Sequence, residues 1–216
     1  MKKYRIMIID DHPLMRAGLR GLIEAEPDLE VCCEASTAEE AIVGLREQTP
    51  DMAIVDISLS DSNGLDLLKR IRSKNEDIKS IVVSMYEAAM FAERALRAGA
   101  MGYVNKEEAI DVVIDAIRTV LAGSIYVDAE TNKRLLWNMS GRSTGGDGDP
   151  ISQLSDRELE VFALLGKGQS TRDIANGLKL SIKTIESYRE NIKTKFGIKT
   201  AAELMKHAVQ WVLENG

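Results

Sequence analysis

Residues 1–122 alternate short apolar runs with longer amphipathic ones five times, and this constrains the fold more than any other feature of the 216-residue chain. The short runs lie near 5–9, 30–35, 52–55, 80–84 and 101–104, each the length of a strand rather than a helix. Helical spacing fits near 14–26, 38–48, 64–74, 87–98 and 107–122. In the last of these, Ala109, Ile110, Val113, Ile114, Ile117, Val120 and Leu121 form one apolar stripe. Strands joined through helices run parallel and are covered on both faces. The expected fold of this half is α/β, a five-stranded parallel doubly wound sheet.

Ligands of such folds bind beyond the carboxyl ends of the strands. There the sequence places Asp10 and Asp11 after the first strand, Asp56 after the third, Ser84 at the end of the fourth, and Asn105-Lys106 after the fifth. Adjacent carboxylates repel. Asp10-Asp11 is tolerable either as a solvated turn or as a cation site, and oxygen ligands at this density suit Mg²⁺. The set as a whole fits phosphoryl transfer. A carboxylate can accept a phosphoryl group as an acyl phosphate, with Asp56 as the candidate. Lys106 can pair with a phosphoryl oxygen as a point charge. The Ser84 hydroxyl can donate to another oxygen.

Cys32 and Cys33 are adjacent in a strand-like run, where neighbours point to opposite faces. They are expected to be two reduced thiols, one of them in the core. Neither they nor the two histidines form a zinc-ligand pattern. No apolar stretch approaches the roughly 20 residues needed to cross a bilayer. The first apolar run ends at Asp10, too early for a signal-peptide core. A cytoplasmic location, away from any membrane, is expected.

Residues 140–150, Ser-Gly-Arg-Ser-Thr-Gly-Gly-Asp-Gly-Asp-Pro, have the composition of a flexible linker. Residues 128–139 fit one short helix before it. Charge divides along the same line. Residues 1–136 carry 17 Lys and Arg against 24 Asp and Glu, whereas residues 150–216 carry 10 against 8. An acidic half tethered to a mildly basic half suggests two tasks.

Residues 151–216 read as four helices. Ser155 with Glu158 makes a capping box, and Gly166 and Gly168 end the first helix. A short helix follows over 170–178. Ser181 caps a third over Ile182–Phe196, and Thr200 caps a fourth over Ala201–Leu213. A short helix, a tight turn and a longer helix is a helix-turn-helix layout. Ile185, Ile192 and Phe196 form the inward face of helix 182–196. The apolar stripe Leu204, Ala208, Trp211 and Val212 of the last helix is either a dimer face or packing within the domain.

Residues 1–122 resemble the response-regulator receiver domain. The resemblance rests on Ile8-Ile9-Asp10-Asp11-His12, Asp56 with Gly64-Leu65, Val83-Ser84 and Gly99-Ala100-Met101-Gly102-Tyr103-Val104-Asn105-Lys106. It implies a flavodoxin-like sheet and phosphorylation of Asp56 by a sensor histidine kinase. It also implies Mg²⁺ on Asp10, Asp11, Asp56 and the Ser58 main-chain carbonyl, and a switch formed by Ser84 and Tyr103. Turnover would be limited to self-phosphorylation and acyl-phosphate hydrolysis on the chain's own receiver. The sequence departs from the family at Leu59-Ser60, where Met-Pro is common, and at Glu107, where Pro is frequent; both put local loop geometry in question. Ser58 and Tyr86, each two residues past a site residue, are placed to tune acyl-phosphate hydrolysis.

Residues 151–216 resemble the LuxR-type DNA-binding domain, through Leu154–Val161, Asp173-Ile174-Ala175 and Ser181–Gly197. Joined to a receiver, this resembles a NarL/FixJ-type response regulator, a transcription regulator of double-stranded DNA. The resemblance implies that helix 182–196 enters the major groove, with Lys183, Thr184, Ser187, Arg189, Lys193 and Lys195 as contacts. Glu186 and Glu190 weaken phosphate attraction, so a homodimer on paired half-sites is expected. The acidic receiver is expected to cover the basic helix until phosphorylated. A phosphorylation-independent DNA binder and a metal-dependent hydrolase are the other classes; the acidic pair with Lys106 argues against the first, the attached helix-turn-helix against the second.

Overall fold

The computed structural model describes residues 3–74, 77–139 and 150–215. They divide into two compact units, Met1–Arg134 and Leu135–Gly216. Of the expected linker, residues 140–149 lie outside the described residues.

The first unit is the expected parallel sheet. In chain order its elements are β1 (Tyr4–Ile9), α1 (Pro13–Glu24), β2 (Leu29–Ala35), α2 (Ala38–Gln48), β3 (Met52–Val55), α3 (Gly64–Lys74), β4 (Lys79–Ser84), α4 (Ala88–Ala98), β5 (Gly102–Asn105) and α5 (Ala109–Leu121), followed by α6 (Ala129–Met139). The strands pair in parallel in the order β2-β1-β3-β4-β5. The order reverses between β1 and β3, and such a switch point opens a crevice at the carboxyl ends of those two strands. Residues 6–9 of β1 and all of β3 are buried, as central strands covered on both faces must be.

The α5 stripe holds for Val113, Ile117 and Val120, all fully buried against the sheet, but Ile110 is 74% exposed. Its place at the edge of the stripe turns it past the sheet to solvent. The fifth strand starts one residue later than expected. Beyond it, Tyr126 pairs in parallel with Gly102, donating its N–H to Met101 O (2.9 Å) and accepting from Tyr103 N–H (2.9 Å). This single bridge covers part of the open edge of β5.

The two cysteines are free thiols, as expected, but neither lies in the core. The β1–β2 register slips between Ile6 and Met7, so that Ile6 faces Val31 and Met7 faces Cys33 while Cys32 is left over. This bulge turns Cys32 out of alternation. The two Sγ atoms lie 3.7 Å apart, and both residues are half-buried.

The second unit contains a 3₁₀ turn (Pro150–Gln153) and helices α7 (Asp156–Gly166), α8 (Thr171–Gly177), α9 (Ile182–Phe196) and α10 (Ala201–Asn215). Reciprocal boxes, Ser155 with Glu158 and Ser170 with Asp173, start α7 and α8, and Ser181 caps α9. Each cap is worth about 1 kcal/mol. Gly166 does not stop α7, contrary to the sequence expectation. A Cβ there would lie 2.3 Å from Ala208 O, so the glycine lets α10 approach closely. The stop falls at Gly168, which has φ +80°. Leu204 and Ala208 are buried within the unit, and the Trp211 ring lies 5.6 Å from that of Phe162. The stripe read as a possible dimer face is therefore domain packing. Val209 and Leu213 are the large apolar residues of α10 left exposed among the described residues.

Candidate functional site

The crevice at the switch point gathers side chains from three strand ends. Asp10 and Asp11 follow β1, Asp56 follows β3, and Lys106 follows β5. Lys106 Nζ lies 2.7 Å from Asp56 Oδ2 and 2.7 Å from Asp10 Oδ2, with all three residues buried. The turn carrying Lys106 is fixed by its N–H to Ser84 O (2.8 Å) and by Glu107 N–H to Asn105 Oδ1 (2.9 Å). An asparagine side chain thus shapes this turn.

The loop after Asp56 is held without the Met-Pro pair. Gly64 N–H donates to Ile57 O (2.7 Å), and Ser58 bridges to Asn63. Leu65 N–H donates to Asn63 Oδ1 (2.8 Å), and the Leu59 side chain is buried. Gly64 is required by space, since a Cβ would fall 1.9 Å from Asp56 O.

Burial pushes the Asp56 carboxyl up to about 6, against the pull of the Lys106 charge and with added repulsion from Asp10. Burial pulls Lys106 down, but Asp56 and Asp10 together more than offset this and hold it above the ordinary lysine value. The crevice therefore carries three carboxylates against one ammonium, an arrangement that attracts a further cation.

Ser84 is fully buried at the end of β4 and accepts from Tyr86 N–H (3.4 Å). The Tyr103 ring is buried, and its hydroxyl donates to Tyr86 O (2.7 Å). Burial raises the Tyr103 hydroxyl well above the usual tyrosine range, with a Ser84 hydrogen bond opposing. Ser58, whose N–H bonds the Asp56 carboxylate, donates from Oγ to Tyr86 Oη (3.4 Å). The Tyr86 ring stacks on Phe91 at 4.6 Å.

Sequence reading missed His12. Its N–H donates to Asp10 Oδ1 (2.8 Å), and its Nδ1 lies 2.9 Å from Asp11 Oδ1 and 3.2 Å from Asp10 Oδ1. Single donor atoms of Asp10, Asp11, His12 and Asp56 all fall within 4.8 Å of one another. Adjacency to the acidic pair was the available signal.

In the second unit, α9 buries Ile185 and Ile192 and leaves Lys183, Glu186, Ser187, Glu190, Asn191 and Thr194 exposed. Lys183 and Ser187 are thus on the open face. Thr184 is half-buried and its hydroxyl meets that of Ser181 (2.7 Å). Arg189 turns back to donate to Thr171 Oγ1, and Lys193 pairs with Glu190 at 2.9 Å. Lys195 reaches Glu158 Oε2 at 2.5 Å, the same oxygen that accepts Ser155 N–H, so in this structure it braces the α7 cap. Asn191 was overlooked, although its spacing of four and eight residues from Ser187 and Lys183 puts it on their face.

Residues 6–118 match the response regulator receiver domain family, and residues 152–208 match the luxR family of bacterial regulatory proteins. The chain is 32% identical to the oxygen regulatory protein NreC of Staphylococcus aureus (strain MRSA252), over 95% of this chain and 97% of that one. Among solved structures it is similar to the Salmonella typhimurium RcsB response regulator, at 26% identity and TM-score 0.67, covering 97% of this chain and 98% of that one. It is also similar to RcsB of Salmonella enterica serovar Typhimurium bound to promoter rprA in the presence of the phosphomimetic BeF3−. That match has 25% identity and TM-score 0.63, covering 96% of this chain and 99% of that one.

Proposed function

Because the chain belongs to the response regulators that join a receiver domain to a LuxR-type DNA-binding domain, we propose that Mg²⁺-dependent phosphorylation of Asp56 by a sensor histidine kinase sets its affinity for promoter DNA. The observation that carries this reading is the placement of Lys106 Nζ, 2.7 Å from both Asp56 and Asp10, two buried carboxylates with the half-buried Asp11 beside them. A purely structural ion pair does not need two surplus negative charges beside it.

In the transfer, a carboxylate oxygen of Asp56 attacks the phosphorus of a phosphohistidine. The new O–P bond forms as the P–N bond breaks, and the imidazole leaves. Little covalent work is left to the protein, so positioning and charge dominate. Lys106, already beside Asp56 Oδ2, moves its ammonium to a phosphoryl oxygen. Ser84 donates its hydroxyl to another, which frees Tyr86 N–H and disturbs the Tyr103–Tyr86 contact. Turnover stays on the chain's own receiver, as acyl-phosphate formation and hydrolysis.

The donor set fits Mg²⁺: hard carboxylate oxygens of Asp10, Asp11 and Asp56 converge, and the Ser58 main-chain carbonyl is the further protein ligand proposed. Bound there, the ion supplies positive charge against the acidic pair and the phosphoryl oxygens. His12 lies beside these same carboxylates and has to give way to it.

DNA is met by the exposed face of α9, with Lys183 on phosphate and Ser187 and Asn191 at base edges. The similar RcsB structure is described as bound to a promoter, which supports this use of the domain. With Glu186 and Glu190 on the same face, one domain binds weakly, and a homodimer on paired half-sites gives the needed affinity. In the unphosphorylated chain the acidic receiver limits access to α9. No helix among the described residues is long and apolar enough to cross a membrane, in keeping with the cytoplasmic location proposed.

Incubation with a small phosphodonor and Mg²⁺, followed by intact-mass spectrometry, tests the assignment. A single added phosphoryl group, absent from Asp56→Asn, is expected. Equal addition to both proteins contradicts it.

A further inference from the structure

Arg16 sits one turn into α1, where Pro13 has started the helix and Arg16 N–H donates to His12 O (3.1 Å). Helical side chains tilt toward the N-terminus, so that of Arg16 runs back over the loop that follows β1. Its Nη1 donates to Asp10 O at 2.5 Å. Its Nε lies 3.4 Å from Glu34 Oε2, while Arg20 Nε takes the other oxygen of Glu34 at 2.6 Å. The Arg16 side chain is 18% exposed. A cation near a helix N-terminus works against the helix dipole, and α1 has no acidic residue in its first turn. The contacts with Asp10 O and Glu34 offset that cost.

These contacts fix one peptide plane. Asp10 C=O and Asp11 N–H belong to the same planar unit. Asp10 N–H donates to Ala35 O (3.1 Å), Asp10 Oδ1 accepts from His12 N–H (2.8 Å), and Asp10 Oδ2 meets Lys106. Arg16 adds the hold on the carbonyl. Rotation of this plane would swing Asp11 relative to Asp10 and separate donor atoms that now lie within 4.8 Å of one another and of Asp56. Mg²⁺ demands near-ideal octahedral geometry, so such a swing costs affinity. A guanidinium holds two partners with one rigid fork, which the point charge of an ammonium does not reproduce.

We propose that Arg16 is a positioning residue for the divalent cation: braced by Glu34, it clamps the Asp10–Asp11 peptide so that both carboxylates converge. The inference rests on the Mg²⁺ site proposed above. Arg16 acts through Asp10 O and touches neither the ion nor the phosphoryl group. Charge alone would have the opposite effect. Arg16 is a cation beside an acidic crevice, and on Coulombic grounds its removal tightens binding of a second cation. Loss of the clamp weakens it, so the sign of the change is decisive.

The test is calorimetric titration of the full chain with Mg²⁺, without phosphodonor. Arg16→Met is expected to weaken Mg²⁺ binding about tenfold, as loss of supporting contacts does at metal sites. Arg16→Lys keeps the charge and loses the fork, and should weaken it as well. Arg20→Met removes an equal charge one turn further along α1 without touching Asp10 O, and should not weaken it. The Mg²⁺ concentration that half-saturates phosphorylation of Asp56 should rise with the dissociation constant in Arg16→Met, with the saturated rate much less affected. Unchanged or tighter Mg²⁺ binding by Arg16→Met overturns the clamp, and so does equal weakening in Arg20→Met. A wild type that binds no Mg²⁺ overturns the metal site itself, and the clamp with it. Should Arg16→Met melt far below the wild type, Arg16→Lys decides, since wild-type affinity in that variant contradicts the proposal.

Discussion

Lys106 Nζ lies 2.7 Å from Asp56 Oδ2, and the same ammonium lies 2.7 Å from Asp10 Oδ2. Residues fifty apart in sequence meet because β3 and β5 both end in the crevice, on either side of β4. Removing the lysine strands two buried carboxylates. Lys106→Met is expected to destabilise the metal-free protein at neutral pH by on the order of 3 kcal/mol. Added Mg²⁺ should recover part of that loss. Urea denaturation with chelator and with Mg²⁺ checks both.

The raised Asp56 carboxyl makes stability depend on pH in a stated direction. Its folded value of about 6 exceeds the ordinary 3.8, so between these the folded chain holds a proton that the unfolded chain releases. Stability from this group is greatest below the unfolded value and declines as pH rises through about 6. The Asp56→Asn variant lacks this dependence. Its unfolding free energy relative to wild type should rise by roughly 2 kcal/mol between about pH 4 and pH 7 in the metal-free state. A pH-independent difference would show that burial does not perturb Asp56.

Ser58 Oγ and Tyr86 Oη are in contact at 3.4 Å, and Ser58 N–H also bonds the Asp56 carboxylate. The pair thus stands beside the Asp56 carboxylate. Tyr86→Ala is expected to shorten the phosphorylated lifetime. A cycle with Ser58→Ala should show coupling of at least about 0.5 kcal/mol in the hydrolysis barrier. Strict additivity would mean that the two hydroxyls act separately.

Two lysines of α9 should behave differently. Lys183 is exposed, and Lys183→Ala should weaken binding across DNA sequences and lower the salt slope by about 1. Lys195 is tied to Glu158 at the start of α7. Its contact helps hold the Glu158 carboxyl below the usual range, against the opposing effect of burial. Lys195→Met should lower the melting temperature and leave the salt slope nearly unchanged. Anisotropy titrations at several salt concentrations separate the two.

What the sequence revealed depended on whether the signal was local. Helices α2 and α3 span 38–48 and 64–74 as expected, because apolar spacing is written in consecutive residues. The carboxylates at the strand ends were legible for the same reason. Tyr126 was not, since one bridging residue at a sheet edge has no pattern of its own. The bulge at Cys32 arises from pairing with β1, and no composition marks it. Gly166 looked like a helix stop because its partner, Ala208, lies forty-two residues away. The charge of Lys195 is visible in sequence, whereas its contact with Glu158, 37 residues away, is not.

The most direct test of the account is the promoter affinity of the full-length chain at one salt concentration. It is measured by anisotropy with Mg²⁺ alone and with Mg²⁺ plus a phosphodonor, for the wild type and for Asp56→Asn. The account predicts that the phosphodonor raises wild-type affinity and leaves Asp56→Asn at the unphosphorylated level. Affinity that is the same with and without the phosphodonor, in a wild type shown by mass to be phosphorylated, would contradict it.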